Sequence, residues 1–184
     1  MKNSELVQAA LDSGLTKAVV IGTDQIDLNI EYRKICERNQ CGGYGRCWMC
    51  PPSIGDVEEN MKTVHSFKNA LLYQTIGELE DSLDIEGMHE VKKVHSKNSQ
   101  KLRAAVEGKI GRAIFLGVGG CGLCEKCSKL DNEPCRHPDK AMPALEGYGI
   151  GVYNTTKNTP LKYINGQDTV TYFGLVLFDG EDDE

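Results

Sequence analysis

A chain of 184 residues with 40% hydrophobic and 26% charged positions has enough apolar material to build its own core, which excludes a largely disordered protein. Its net charge of −6, with basic residues no more clustered than the Lys92, Lys93 pair, argues against nucleic-acid binding, which needs a concentrated cationic surface. The polar start MKNSELVQAALDSG and the lack of any run near the ~20 apolar residues of a membrane span predict a cytoplasmic protein, not a membrane one, folded as a single domain over 1–184.

Leu6, Ala9 and Ala10 share one helical face, and Ser13 and Gly14 end the run as a left-handed cap, so residues 4–13 form a helix. TKAVVIG suits a buried strand over 16–22. A second helix over Ile30 to Arg38 delivers Cys36. Ser53 with Asp56 resembles a helix N-terminal box, followed by the stripe Val57, Met61 and Val64. NALLYQTI reads as a strand, and Met88, Val91, Val94, Leu102, Ala105 and Val106 mark a long amphipathic helix. RAIFLGV is again a strand, Ala141 to Tyr148 a helix, and TVTYFGLVLF the longest strand-like run. The closing GEDDE reads as a solvated acidic end. The fold class is α/β or α+β: a single sheet of about four strands covered by helices, with one or more crossovers and two cysteine-rich metal-binding loops.

Eight cysteines in a reducing compartment are poor material for disulfides and good material for metal ligation. Cys121, Cys124, Cys127 and Cys135 have two, two and seven residues between them. A bacterial ferredoxin run begins with the same two intervals, and four thiolates match the four irons of a cubane 4Fe–4S cluster. Gly119, Gly120 and Gly122 allow close backbone approach to anionic sulfur. Zinc is the alternative, since it takes four thiolates tetrahedrally. Cys36, Cys41, Cys47 and Cys50 form a looser group, broken by Gly42, Gly43 and Gly45, and Cys50 followed by Pro51 is like the end of a ferredoxin loop. Both groups are therefore candidate metal sites.

Other readings compete. GVGGCG, Gly117 to Gly122, formally satisfies a dinucleotide fingerprint, but cluster spacing follows it instead of a helical stripe. CWMC, Cys47 to Cys50, also has the spacing of a redox-active dithiol. His65, His89 and His95 fall on predicted helices as ordinary residues. Arg136 and His137, just after Cys135, are candidates to donate to cluster sulfur or to an anionic substrate, or else to fix the loop. Tyr44 and Trp48 are placed to shield the first loop from water or simply to pack there.

The segments YGRCWMCPP, CGLCEKC and PCRHPDKAMPALEGYGI together resemble a family of small cysteine-rich proteins of anaerobic bacteria and archaea, predicted to bind metal and of unknown function. The resemblance runs from about Cys36 to Tyr153. It implies metal on Cys41, Cys47, Cys50, Cys121, Cys124, Cys127 and Cys135, with Cys36 as the eighth ligand, and it names no substrate. Three functions fit: an electron-transfer protein or redox subunit with one or two 4Fe–4S clusters and a redox partner protein; a small cluster-dependent enzyme; and a zinc-stabilised interaction module.

Overall fold

The computed structural model describes residues 1–180, so the acidic end expected at GEDDE lies outside the described residues from 181 onward. The described residues form five α-helices: α1 (Asn3–Asp12), α2 (Ile30–Glu37), α3 (Val57–His65), α4 (Ile85–Val106) and α5 (Val152–Thr156). Four strands, β1 (Lys17–Gly22), β2 (Asn69–Glu78), β3 (Ala113–Leu116) and β4 (Thr169–Phe178), make one sheet in the order β1-β2-β4-β3. Every neighbouring pair is antiparallel, so of the two expected classes the protein takes α+β. The crossover expected from the strand–helix–strand pattern is present in split form. β2 and β3 each run antiparallel to β4 and hence parallel to each other; α4 joins them, and the C-terminal strand lies between.

Both faces of this sheet are covered, which is why its central strands read as unbroken apolar runs. On one face Leu71, Tyr73, Val176 and Phe178 meet Leu6 and Ala10 of α1 and Leu102 and Val106 of α4. On the other, Ala70, Leu72, Leu175 and Leu177 meet Val64 of α3, Phe67, Ile150 and Leu161. Register enforces the alternation, with Leu71 opposite Val176 and Leu72 opposite Leu175. Each of these leucines, fully buried, contributes roughly 1.5–3 kcal/mol.

Helix ends follow local chemistry. Gly14, at φ +92°, closes α1: the N–H of Leu15 donates to Ala10 O at 3.3 Å and that of Gly14 to Leu11 O at 2.9 Å. At the start of α3 the capping residue is Asp56, not Ser53; its carboxylate accepts from the N–H groups of Glu58 and Glu59. No α-helix forms over Ala141 to Tyr148, where only a 3₁₀ turn at Glu146–Tyr148 appears. Pro143 has no N–H and keeps Met142 out of the helical region. The segment instead pairs with the end of β3: Gly117 N–H donates to Pro143 O at 2.8 Å and Leu145 N–H to Gly117 O at 3.1 Å. That pairing also ends β3 two residues earlier than RAIFLGV suggests.

This topology gathers the functional loops. The segment after α2, the loop after β3 and the first half of α4 meet around Tyr172 near the start of β4, whose hydroxyl donates to Met88 O at 3.0 Å.

Candidate metal centre

Cys36 sits in the last turn of α2, and that helix is pinned by a buried arginine. Arg33 donates to Gly147 O at 2.7 Å and to Gly55 O at 2.6 Å. A guanidinium out of water needs such partners, and these tie α2 to the 3₁₀ turn at Glu146–Tyr148 and to the approach to α3. Asn60 reinforces the same junction through Ile54 O at 3.1 Å.

After α2 the chain turns back through Gly42 (φ +72°) and Gly45 (φ +68°), conformations that suit glycine. Between them, Gly43 makes a cradle. A Cβ there would lie 3.1 Å from Cys50 Sγ and 3.6 Å from Cys41 Sγ, so both sulfurs face one small space that a larger residue would crowd. Burial, the nearby Glu146 carboxylate and Cys41 push the Cys36 thiol up to about 11. Cys50 is pushed up chiefly by its hydrogen bond to Cys47 and by burial, with smaller contributions from Cys41 and Cys36. Cys36, Cys41 and Cys50 line one cavity of about 560 Å³.

Cys47 does not line that cavity. It lines a second one, of about 30 Å³, with Cys121, Cys124, Cys127 and Cys135. The thiols of Cys121 and Cys50 both hydrogen-bond to its sulfur, and Met49 N–H points at it from 3.4 Å. These donors, Cys121 first, hold the Cys47 thiol far below its usual range. The same bond from the donor's side, with burial, pushes Cys121 up. Cys47 is thus the joint between the two loops, lining one cavity with the second group while adjoining Cys50 of the first.

The loops are also bolted together. Trp48 Nε1 donates to Glu133 O at 2.9 Å, Lys129 Nζ lies 4.3 Å from the centre of its ring, and Ala144 N–H donates to Met49 O at 3.1 Å. Trp48 therefore acts as a strut. His137 lines the five-cysteine cavity, whereas the exposed Arg136 donates to Lys126 O at 3.0 Å and fixes the loop. The glycine run Gly117 to Gly122 leads into no α-helix, which removes the basis of the dinucleotide reading, and CWMC lies in turns and opens no helix.

All eight cysteines are free. Among the described residues no group of three or more His, Cys, Asp or Glu side chains is already disposed around a single metal ion. The donor set nonetheless fits a thiophilic metal or an iron–sulfur cluster: the Gly43 cradle and the five-cysteine cavity each turn several soft sulfurs onto a common space.

Over residues 19–178 the chain matches the family described as predicted metal-binding protein (DUF2284). The chain belongs to this family. No curated protein and no solved structure matches it. Membership of the DUF2284 family agrees with the resemblance carried by the cysteine segments. Among the described residues no helix is long and apolar enough to cross a membrane.

Sequence reasoning passed over four residues at this centre. His89, Lys92, Glu146 and Tyr172 all line the three-cysteine cavity. His89 and Lys92 are one turn apart on α4, a spacing legible in the sequence, but nothing there tied that helix face to the cysteines.

Proposed function

We propose that this protein is an iron–sulfur protein that carries electrons, alone or as the small redox subunit of a larger assembly. Its ligands are drawn from Cys36, Cys41 and Cys50 at one site and from Cys47, Cys121, Cys124, Cys127 and Cys135 at the other. A 4Fe–4S cluster would supply one-electron chemistry at either site. The observation that carries the reading is the junction at Cys47, which lines one cavity with Cys121, Cys124, Cys127 and Cys135 and adjoins Cys50 of the other. Two sites that meet through one sulfur are close enough to exchange electrons within the chain. Trp48 and the glycine turns fix the loops that carry the sulfurs, and such fixing orients the ligands of a bound centre.

Cys41 is exposed, so the first site lies nearer the surface and is where a redox partner protein would dock. A reducing cytoplasm, which keeps thiols free for metal, is the compartment this reading requires.

The test is the iron, acid-labile sulfide and zinc content of anaerobically purified protein, with electron paramagnetic resonance after reduction. Two filled sites give about eight irons and eight sulfides per chain, and one gives about four of each. Iron-free protein loaded with zinc would overturn the proposal and leave a zinc-stabilised interaction module in its place.

A further inference from the structure

The three-cysteine cavity is much larger than its thiols need. At about 560 Å³ it has the size of a small-molecule site. Its far wall is His89 and Lys92 of α4, with the Tyr172 ring and the Glu146 carboxylate beside them. A second cavity of about 550 Å³ shares His89 and Lys92 and continues along α4 past Lys93, Lys97 and Gln100 to the backbone of the glycine loop. The two share a wall, so one cleft runs from the thiols to the helix surface.

The charge in this cleft opposes that of the protein. The chain carries −6 overall, yet α4 places His89, Lys92, Lys93 and Lys97 along it, and no carboxylate lines the second cavity. Lys93 is engaged by Glu90, whereas Lys92 and Lys97 form no hydrogen bond or ion pair among the described residues. Lys92 Nζ lies over the backbone of Gly119, 3.1 Å from where a Cβ would stand, and Gly119 takes φ +59°. The absence of a side chain there lets the ammonium reach the boundary of the two cavities. Half-buried Lys92 feels the Glu146 carboxylate that lines the first cavity with it, and its ammonium, hydrogen-bonded to neither that group nor any other described residue, is free to meet an anion in the cleft.

We propose that this cleft binds a small molecule bearing a carboxylate or phosphate group, anchored by Lys92 and His89 and held against the Cys36, Cys41, Cys50 triad. Its placement beside a metal centre rests on the iron–sulfur reading above, whereas its affinity for anions belongs to the cleft itself. Because Cys47 turns to the other site, the triad supplies three thiolates, and the bound molecule faces the side they leave open. Tyr172 closes one wall, its hydroxyl committed to Met88 O at 3.0 Å, so its ring packs against the ligand and its oxygen does not.

Isothermal titration of anaerobically purified protein with inorganic phosphate, and separately with succinate, tests this. Saturable binding of about one anion per chain is expected, weakened at least tenfold in Lys92→Ala, kept within about threefold in Lys92→Arg and unchanged in the remote Lys157→Ala. The tighter probe identifies the chemical class. No saturable binding of either probe, or equal affinity in wild type and Lys92→Ala, would overturn the proposal. Circular dichroism confirms that Lys92→Ala is folded. Iron and sulfide assays on the same samples separate the two readings: anion binding to iron-free protein sustains the cleft without the cluster, and iron-replete protein that binds no anion removes the cleft alone.

Discussion

His95 gives a stability prediction whose size follows from its surroundings. Its ring is 1% exposed between α4 and the sheet, stacked on Tyr73 at 5.7 Å and tilted against Tyr172 at 6.2 Å, with Nδ1 2.9 Å from Thr75 Oγ1. No carboxylate among these neighbours offsets a positive charge, and burial lowers the imidazole from 6.5 to about 4. The folded protein therefore keeps His95 neutral where the unfolded chain takes up a proton. Stability contributed by the neutral ring is full above pH 6.5 and is lost as pH falls toward 4, because the unfolded state binds more protons there. Between pH 7 and pH 5 the loss is about 2 kcal/mol for this one group, from the two pKa values. Urea unfolding of wild type and His95→Gln at both pH values isolates it, since the thiols and any bound metal titrate alike in the two proteins. The wild type should lose about 2 kcal/mol more than the variant over that interval. An equal loss in both would show that His95 is not held neutral.

Two further outcomes concern the cysteines. Gly43→Val should strip metal from the three-cysteine site, because its Cβ would come 3.1 Å from Cys50 Sγ, leaving about half the wild-type content by elemental analysis. Gly120→Ala, with open space around its Cβ and no positive φ, should keep its metal, and equal loss from the two variants would refute the cradle. Cys47→Ser should lower the metal content further than Cys36→Ser or Cys124→Ser, since unlike those two it touches both loops; a loss no greater than theirs would show that the joint is not one.

Much of the fold was legible because both sheet faces are buried and each strand had to be an apolar run. TVTYFGLVLF is β4 over its whole length, and the long stripe from Met88 to Val106 lies within α4. What failed to show was pairing across distance. The order β1-β2-β4-β3 depends on the last strand entering between two earlier ones, which no local pattern encodes. Residues 141–148 misled for a related reason: their apolar spacing belongs to a segment packed under the cysteine loops and paired with Gly117, with Pro143 preventing a helix.

The cysteines were legible as a set, and their spacing did not show which of them share a cavity. Spacing groups Cys47 with Cys36, Cys41 and Cys50, because residues close in sequence are the natural first choice for one shell. The turn from Cys47 to Cys50 faces these two sulfurs toward different cavities, and Trp48, between them, is fastened to Glu133 of the other loop. One short segment thereby borders two cavities. The same turn that gives Cys47 to the second loop leaves the first with three thiols and a wide cleft, so the shared wall and the open cavity have a single structural cause. Across that cavity from the three thiols stand His89 and Lys92 of α4, which the fold and not the cysteine spacing puts there.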